Sequence, residues 1–290
     1  MLPIEHTTAG VAIVSLTANP SKPRGGVVVL DSWLIAEIAT TLDAVIAQRP
    51  NGIVLRSASE RVFVAGADLA EIDVLDDAAL HQYLQRGSDA FARFFTAPCA
   101  TVALVHKAAL GGGLEVAMHC DGIVGVLPGP TDKPWRIGLP ECGLGICPGW
   151  GGTQMLPSRI DPATAISQTA TGLTNSVSAL PAGLFDVSVA AGEDAMQVAL
   201  DWLLAHPRTS PRSQPNAINA ENGSTILDAL TASRTAIAPT DAAAAVIDCV
   251  EVGVRSGWKA ALVAERSHLV SLRSTPVARE KLAQFLNPAR

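Results

Sequence analysis

The stretch Leu110-Gly111-Gly112-Gly113-Leu114-Glu115 places three consecutive glycines directly before a run, Leu114–Cys120, that is compatible with a helix. Glycine has no Cβ, so a ligand can approach the backbone closely at such a turn. The exposed N–H groups at a helix N-terminus carry partial positive charge, which stabilises a developing anion. The stretch therefore predicts an oxyanion hole at a strand-to-helix turn. A tight turn in which glycine only relieves steric crowding explains the same residues equally well.

Two glutamates near such turns are candidates for acid–base chemistry. Glu115 lies three residues after Gly112, one helical turn further on and on the same side of the predicted helix. Glu141 lies in Gly138–Gly143 (GLPECG), which is almost free of other charges, and burial there would raise its pKa towards neutrality. Two such carboxylates can divide the roles of acid and base. Taken singly, each is more typical of a group on the protein surface.

Strands and helices alternate along the first part of the chain. Runs of β-branched residues bounded by turn residues predict strands, and apolar residues at helical spacing predict helices. The predicted strands are Gly10–Thr17, Gly52–Ser57 and Thr101–Val105, and the predicted helices are Ser32–Gln48, Asp76–Phe95 and Asp161–Thr169. This alternation indicates an α/β body.

The composition changes after residue 206. Pro207–Pro215 (PRTSPRSQP) carries three prolines and predicts a linker or surface loop. Beyond it, Pro239–Val270 is rich in alanine and has one apolar face, and Pro276 is placed to begin a final short helix. The predicted division is therefore a catalytic domain, 1–206, and a linker with a C-terminal helical region, 207–290.

Composition excludes several classes of protein. The net charge of −6 disfavours nucleic acid or an anionic membrane as the main partner. No long apolar stretch or basic leader occurs, so we expect no membrane span and a cytoplasmic location. The five cysteines form no C-x-x-C pair, and neither His106 nor His119 has a second His or Cys at ligand spacing, so no metal site is predicted.

Three segments, taken together and in this order, resemble the crotonase superfamily: Phe63–Leu69 (FVAGADL), Ala109–Ala117 (ALGGGLEVA) and Gly138–Gln154 (GLPECGLGICPGWGGTQ). Ala179–Asp186 (ALPAGLFD) is similar to the stretch that closes the catalytic domain in that family. Further on, three short segments resemble the helical part that follows the hydratase portion of multifunctional fatty-acid oxidation proteins: Ala243–Asp248, Val252–Val254 and Ala264–Arg266.

The resemblance implies an α/β fold, a crotonase-like spiral of ββα units with a C-terminal α-helical extension. It implies an acyl-coenzyme A thioester as substrate, no separate cofactor and a homo-oligomer, a trimer or a pair of trimers. It assigns the oxyanion hole to the N–H groups of Ala67 and Gly112 and the catalytic roles to Glu115 and Glu141. Residues next to these are expected to bind substrate: Ala65, Gly66, Asp68, Leu69, Gly111 and Gly113.

Retention of both glutamates favours an enoyl-coenzyme A hydratase of the fatty-acid β-oxidation type, because relatives that only move a double bond typically keep the second glutamate and lose the first. Two alternatives stay open. One is a Δ3-Δ2-enoyl-coenzyme A isomerase. The other is a non-catalytic acyl-coenzyme A binding or assembly subunit, to which Ala70 points because it stands where hydratases usually carry a basic residue that lies against the adenine.

Overall fold

Runs rich in Val, Ile and Ala form two sheets in the computed structural model, which describes residues 1–22 and 24–287. The strands of these residues are, in chain order, β1 (Ile4–His6), β2 (Val11–Leu16), β3 (Gly52–Ser57), β4 (Val62–Val64), β5 (Ala100–Val105), β6 (Ala108–Leu110), β7 (Gly122–Val126), β8 (Arg136–Gly138), β9 (Thr174–Ser176) and β10 (Val187–Val189).

The larger sheet has the strand order β1-β2-β3-β5-β7-β10, and the smaller sheet has the order β4-β6-β8-β9. In the larger sheet β1 is antiparallel to β2 and the other pairs are parallel. In the smaller sheet β9 is antiparallel to β8 and the other pairs are parallel. The parallel strands of the larger sheet are buried on both faces, which accounts for their nearly continuous apolar sequences.

Helices connect and cover these strands. In the described residues they are α1 (Ser32–Ala47), α2 (Leu69–Val74), α3 (Asp77–Thr96), α4 (Gly112–Met118), α5 (Gly152–Met155), α6 (Pro162–Thr171), α7 (Ala195–Ala205), α8 (Gly223–Ser233), α9 (Asp241–Ser256), α10 (Trp258–Arg273) and α11 (Pro276–Leu286), with 3₁₀ turns at Glu141–Leu144, Leu156–Ser158 and Arg234–Ala236.

The chain repeatedly gives one strand to each sheet and then forms a helix. β3 joins the larger sheet, β4 joins the smaller one, and α2 follows; β5, β6 and α4 repeat this order. This repetition is the ββα spiral that the resemblance implies, and it is confirmed. The six predicted strands and helices of the body are also present, with bounds that differ by at most two residues from those observed.

Helices lie on both faces of the larger sheet. Apolar side chains of α1 and α3 belong to the main core on one face, and those of α1 include Leu34, Ile38 and Leu42. On the other face, residues of α7 such as Trp202 and Leu203 share a second apolar cluster with strand residues. The short strands β4 and β6 of the smaller sheet lead into the glycine-rich turns before α2 and α4.

The C-terminal helices share the main core with the body. Val246 of α9, Trp258 and Leu269 of α10 and Ala278 of α11 are buried in the same apolar cluster as residues of α3 and α4. The predicted helical tail, Pro239–Val270, is interrupted at a glycine, residue 257, which has φ +78° and separates α9 from α10. The expected proline at the start of a last helix is confirmed, since α11 begins with it.

The proline-rich segment after α7 is tied to the body. Arg208 and Arg212 both form ion pairs with Asp121, which precedes β7. Arg208 also donates hydrogen bonds to the backbone oxygens of Phe94 and Ala97. In the part of the chain that the structure describes, no helix is both long and apolar enough to cross a membrane.

Candidate active site

A largely apolar cavity of about 120 Å³ lies where the glycine-rich turns meet the C-terminal helices. The turns before α2 and α4 form one side, and Leu84 of α3, Leu269 of α10 and Phe285 of α11 contribute apolar side chains. Phe285 is 59% exposed, so it lies at the opening of the cavity towards solvent. The predicted site residues on its surface are Ala65, Gly66, Ala67, Leu69, Gly111, Gly112, Glu115 and Glu141.

The triple glycine turn is required by close contacts with three different neighbours. Gly111 has φ +53°, and a Cβ on it would lie 2.6 Å from Oε1 of Glu141. A Cβ on Gly112 would lie 2.5 Å from the Trp150 ring, and one on Gly113 would lie 2.2 Å from the Val64 carbonyl oxygen. The glycines therefore serve tight packing as well as access by a ligand. A side chain at position 112 would meet the tryptophan ring before it met a substrate.

Two backbone N–H groups are available at the cavity. The bridge between Leu30 and Ala67 uses the Gly66 carbonyl and the Asp68 N–H, so the N–H of Ala67 points away from Leu30. Gly112 is the first residue of α4, where N–H groups have no acceptor within the helix. Both Ala67 and Gly112 line the cavity. The structure thus brings the two residues predicted as oxyanion donors to one cavity.

Glu115 is held in one orientation by the backbone of the following glycine-rich segment. It is 1% exposed, and its Oε1 accepts hydrogen bonds from the N–H groups of Trp150 and Gly152, both at 2.8 Å. Burial raises the pKa of Glu115 well above its ordinary value, and the charges of Glu141 and Glu265 raise it further. The two N–H groups oppose this rise in pKa because they stabilise the ionised form.

Glu141 begins the 3₁₀ turn that follows β8. Its Oε2 is inaccessible to solvent and finds no hydrogen-bond partner among residues 1–22 and 24–287. Burial raises the pKa of Glu141 to about 8, and the charge of Glu265 acts in the same direction. The carboxyl group is therefore mostly protonated at neutral pH in the free protein. An acid with a pKa near the working pH is suited to proton transfer.

The two glutamates contribute to one cavity, although they come from different turns of the chain. Their negative charges repel, so a state in which one carboxyl holds a proton and the other is ionised is favoured over double ionisation. The interpretation of each as a surface carboxylate is therefore wrong for Glu115 and for the buried oxygen of Glu141.

Two of the residues expected to bind substrate do not line the cavity. Gly113 lies behind it against Val64. Asp68 is 1% exposed, accepts hydrogen bonds from the first N–H groups of α2, and forms an ion pair with Arg24 at 2.7 Å. Asp68 thus fixes the turn that carries Ala67.

Asp68 belongs to an acidic group with Asp31 and Glu71, whose oxygens lie within 4.8 Å of one another. Lys22 approaches all three carboxylates within 3.9 Å, and Arg24 pairs with Asp68. These cationic side chains compensate much of the negative charge. The group also caps α1 through Asp31 and α2 through Asp68, which explains its position without a ligand.

The five cysteines, His106 and His119, for which no chemical role is predicted, lie in the protein interior or close to it. All five cysteines are buried. Nδ1 of His119, at the end of α4, donates to the Glu115 carbonyl oxygen at 2.9 Å, and burial lowers the pKa of His119 to about 4. Nε2 of His106 lies 2.8 Å from the Ser59 carbonyl oxygen.

Sequence reasoning missed Glu265 as a neighbour of the site. This residue of α10 has an exposure of 0% and contacts the same segment, 150–153, that binds Glu115. Its position could have been recognised from the sequence, because Ala261, Glu265 and Leu269 follow one another at intervals of four along an apolar helix face. An acidic residue within such a face requires buried hydrogen-bond donors.

Solved structures identify the class of fold. The chain superposes on an enoyl-CoA hydratase from Bacillus halodurans with a TM-score of 0.67, at 19% identity, over 97% of this chain and 98% of that one. It superposes on human mitochondrial delta3-delta2-enoyl-CoA isomerase with a TM-score of 0.69, at 22% identity, over 99% of this chain and 96% of that one. The fold is therefore the crotonase fold.

Sequence comparison identifies the family. The family model for enoyl-CoA hydratase/isomerase matches residues 21–242. Over 256 residues the chain is 32% identical to fatty acid oxidation complex subunit alpha of Aliivibrio fischeri, a match covering 85% of this chain and 36% of that protein. A similar match to the subunit of Shewanella baltica (strain OS185) covers 91% of this chain and 38% of that protein at 32% identity. The chain belongs to the enoyl-CoA hydratase/isomerase family, and it spans little more than a third of these curated relatives.

Proposed function

We propose that this chain is an enoyl-coenzyme A hydratase that adds water across the double bond of a trans-2-enoyl thioester. The observation that carries the proposal is the pair of carboxylates, Glu115 and Glu141, on one apolar cavity beside the backbone N–H groups of Ala67 and Gly112. Isomerisation of a double bond needs only one group that moves a proton. Hydration needs a base for water and an acid for the α-carbon, and the site offers both.

The reaction follows from the environment of each group. Burial and the charge of Glu141 raise the pKa of Glu115, but a proton on Glu141 removes that repulsion, and the N–H groups of Trp150 and Gly152 favour the ionised form. Glu115 is therefore the proposed base that orients water and takes its proton. The hydroxide oxygen bonds to C3, and the electron pair of the double bond moves to the thioester as an enolate. The N–H groups of Ala67 and Gly112 stabilise that negative oxygen. Glu141, protonated at neutral pH, then gives its proton to C2.

Glu141 also supports the second candidate, the Δ3-Δ2-enoyl isomerase. Its ionised form, with the unpartnered Oε2, is able to take a proton from C2 of a 3-enoyl thioester and to return it at C4. Such a reaction uses the same oxyanion donors and does not use the base that Glu115 supplies. The two reactions therefore respond differently to loss of Glu115.

The test compares Glu115→Gln and Glu141→Gln on two substrates. With crotonyl-coenzyme A, loss of absorbance by the conjugated thioester measures hydration, and each variant is expected to lose about 10²–10⁴-fold in kcat. With a 3-enoyl substrate in heavy water, Glu115→Gln should retain more activity than Glu141→Gln. A variant that keeps more than a tenth of wild-type hydration contradicts its proposed role. The amide that Glu115→Gln introduces keeps an oxygen for the Trp150 and Gly152 N–H groups, so we expect this variant to fold.

The third candidate, a non-catalytic acyl-coenzyme A binding or assembly subunit, makes a different prediction. It requires that the wild-type chain bind a thioester, measured by calorimetry with a non-reactive acyl-coenzyme A, and turn over neither 2-enoyl nor 3-enoyl substrates of any chain length. Detectable hydration by the wild type rejects it.

We also propose that the chain works without a separate cofactor, in the cytoplasm, and as a trimer or a pair of trimers. The exposed apolar side chains on the last helices, Val263, Val277 and Phe285, support association between copies. Light scattering at micromolar concentration should therefore give three or six times the 30.0 kDa mass of one chain. A monomer would reject this part of the proposal.

A further inference from the structure

We propose that Glu265 of α10 is a positioning residue for the reaction, holding the segment that orients Glu115 and setting the electrostatic environment of the two catalytic glutamates. This inference rests on the proposed acid–base function of Glu115 and Glu141. Glu265 does not line the cavity, so it acts through its neighbours. It lies in the C-terminal helical region, far along the chain from both glutamates.

The four consecutive backbone N–H groups of residues 150–153 donate hydrogen bonds alternately to the carboxylates of Glu115 and Glu265. The N–H groups of Trp150 and Gly152 donate to Oε1 of Glu115. Those of Gly151 and Thr153 donate to Oε2 and Oε1 of Glu265, at 2.6 and 3.0 Å. The segment 150–153 is therefore bound on opposite sides by α4 and α10. A substitution of Glu265 is therefore expected to move the N–H groups of Trp150 and Gly152, which orient the proposed base, Glu115.

Burial raises the pKa of Glu265, and the three donors that it receives oppose this rise by stabilising the ionised form. The Thr153 hydroxyl is a third donor to its carboxylate, and this hydroxyl accepts a hydrogen bond from Nε2 of Gln154, which fixes its direction. The Gln154 amide also donates to the Cys249 carbonyl oxygen on α9 at 2.9 Å. All the polar contacts to the Glu265 carboxylate are thus donors, as an ionised group requires.

The geometry of Gly151 shows how closely α10 fits this segment. Gly151 has φ +99°, and a Cβ on it would lie 2.2 Å from the Trp258 ring at the start of α10. Trp258 and Glu265 therefore contact the same short segment from one helix. No side chain fits at position 151 unless α10 or the segment is displaced.

The charge of Glu265 acts on titratable groups from several elements. Those facing it are Glu115 on α4, Glu141 at the start of its 3₁₀ turn, Cys147 before Trp150, and Cys249 on α9. In each case a negative Glu265 raises the pKa of the neighbour. Removing the charge should therefore lower the pKa of Glu141, so that Glu141 loses its proton at a lower pH. If Glu141 is the acid, the high-pH limb of the rate profile moves to lower pH.

The decisive variant is Glu265→Gln, assayed for kcat and KM with crotonyl-coenzyme A across the pH range. One amide N–H₂ then faces an N–H donor of the segment, so the orientation of Glu115 is disturbed. We expect kcat to fall about tenfold or more, while KM changes by less than about twofold. We also expect the high-pH limb to move by about half a pH unit or more to lower pH.

Two further variants separate charge from shape. Glu265→Asp keeps the charge but shortens the reach, so kcat should fall while the high-pH limb stays in place. Asp248→Asn removes a carboxylate of α9 that pairs with His268 and does not contact the segment, so it should leave both kcat and the limb unchanged. If Glu265→Gln does not fold, Thr153→Val removes the hydroxyl that donates to Glu265 and accepts from Gln154 but keeps the backbone N–H donors, so it should lower kcat by a smaller factor without a change in KM.

The results that overturn the inference are distinct from those that overturn the proposed function. A Glu265→Gln protein with wild-type kcat, or with reduced kcat and an unmoved limb, rejects the positioning role. A wild-type chain without any enoyl turnover rejects the proposed function. In that case carbon NMR titration of the labelled glutamate carboxyls, assigned with Glu141→Gln, still tests whether Glu265→Gln lowers the pKa of Glu141. An unchanged pKa rejects the inference.

Discussion

Glu141 occupies a place where its negative charge is unfavourable for stability, and under the proposed function its proton is the one given to the substrate. Its pKa is raised by burial from 4.5 to about 8, which means that the folded protein holds this proton more tightly than the unfolded chain does. The contribution of Glu141 to stability is therefore complete below about pH 4.5 and is lost as the pH rises to about 8. Above this range the folded state contains a buried carboxylate.

We therefore predict that Glu141→Gln stabilises the protein, and that it does so more at pH 8 than at pH 5. The free energy of unfolding, measured with urea at both values, should increase by about 1–3 kcal/mol at pH 8, because an unpaired buried charge is removed. Glu280→Gln, on an exposed part of α11, should change it at neither pH. A Glu141→Gln protein that is less stable than wild type at pH 8 contradicts the raised pKa.

Sequence reasoning reached the two glutamates by different routes. The spacing of Gly112 and Glu115 placed both on one side of a short helix, and both line the cavity. Glu141 was singled out by the lack of other charges in residues 138–143, and the order of the three motifs then connected it with the same site as Glu115. Burial of the Glu141 Oε2 atom depends on packing between turns and helices that no local pattern encodes.

At the scale of elements, the glycines in the turn before α4 allow close contacts in the site that a side chain would prevent. Gly111 is the residue before α4, with φ +53°, and an added Cβ would meet Oε1 of Glu141 at 2.6 Å. Gly192, in the turn between β10 and α7, has φ +92° and nothing within 4 Å of the same position. The two glycines thus share a positive φ and differ in what they contact.

We predict that Gly111→Ala and Gly192→Ala both destabilise the protein, by about 1 kcal/mol or more, because a positive φ is unfavourable for a residue with a Cβ. Only Gly111→Ala should lower kcat for hydration, by about tenfold or more, because the end of the Glu141 side chain must move away from the new methyl group. Thermal unfolding followed by circular dichroism and steady-state kinetics measure the two effects. Equal kinetic losses in both variants would show that strain, not the contact with Glu141, is responsible.

Sequence patterns located most helices because their ends carry local markers. Asp31 caps the start of α1 by accepting from the Leu34 N–H, and Pro50 lies soon after its end. The break between α9 and α10 was missed. The apolar face continues across Gly257, and a periodic pattern does not show that a glycine within it adopts φ +78°.

At the scale of the whole molecule, the C-terminal helices share one apolar core with the sheets and the helices that precede them. Trp258 of α10 packs against Phe95 of α3 and His119, which follows α4, with ring centroids 6.4 and 5.8 Å apart. Glu265 of the same helix binds the segment that orients Glu115. The sequence division into residues 1–206 and 207–290 gives no reason to expect these contacts, since they join residues far apart along the chain.

We predict that the protein unfolds in one cooperative transition and that Trp258→Ala lowers its midpoint as a whole. Removal of a buried tryptophan costs about 3–5 kcal/mol, and because Trp258 contacts Phe95 and His119, the loss affects the body as well as α10. Far-ultraviolet circular dichroism, which follows all helices, and loss of hydratase activity, which follows the site, should give coincident curves at one fixed protein concentration. Two separate transitions in the wild type would show that the C-terminal helices fold as an independent domain. The same conclusion would follow if Trp258→Ala lost its helical signal at a lower temperature but kept its activity up to the wild-type midpoint.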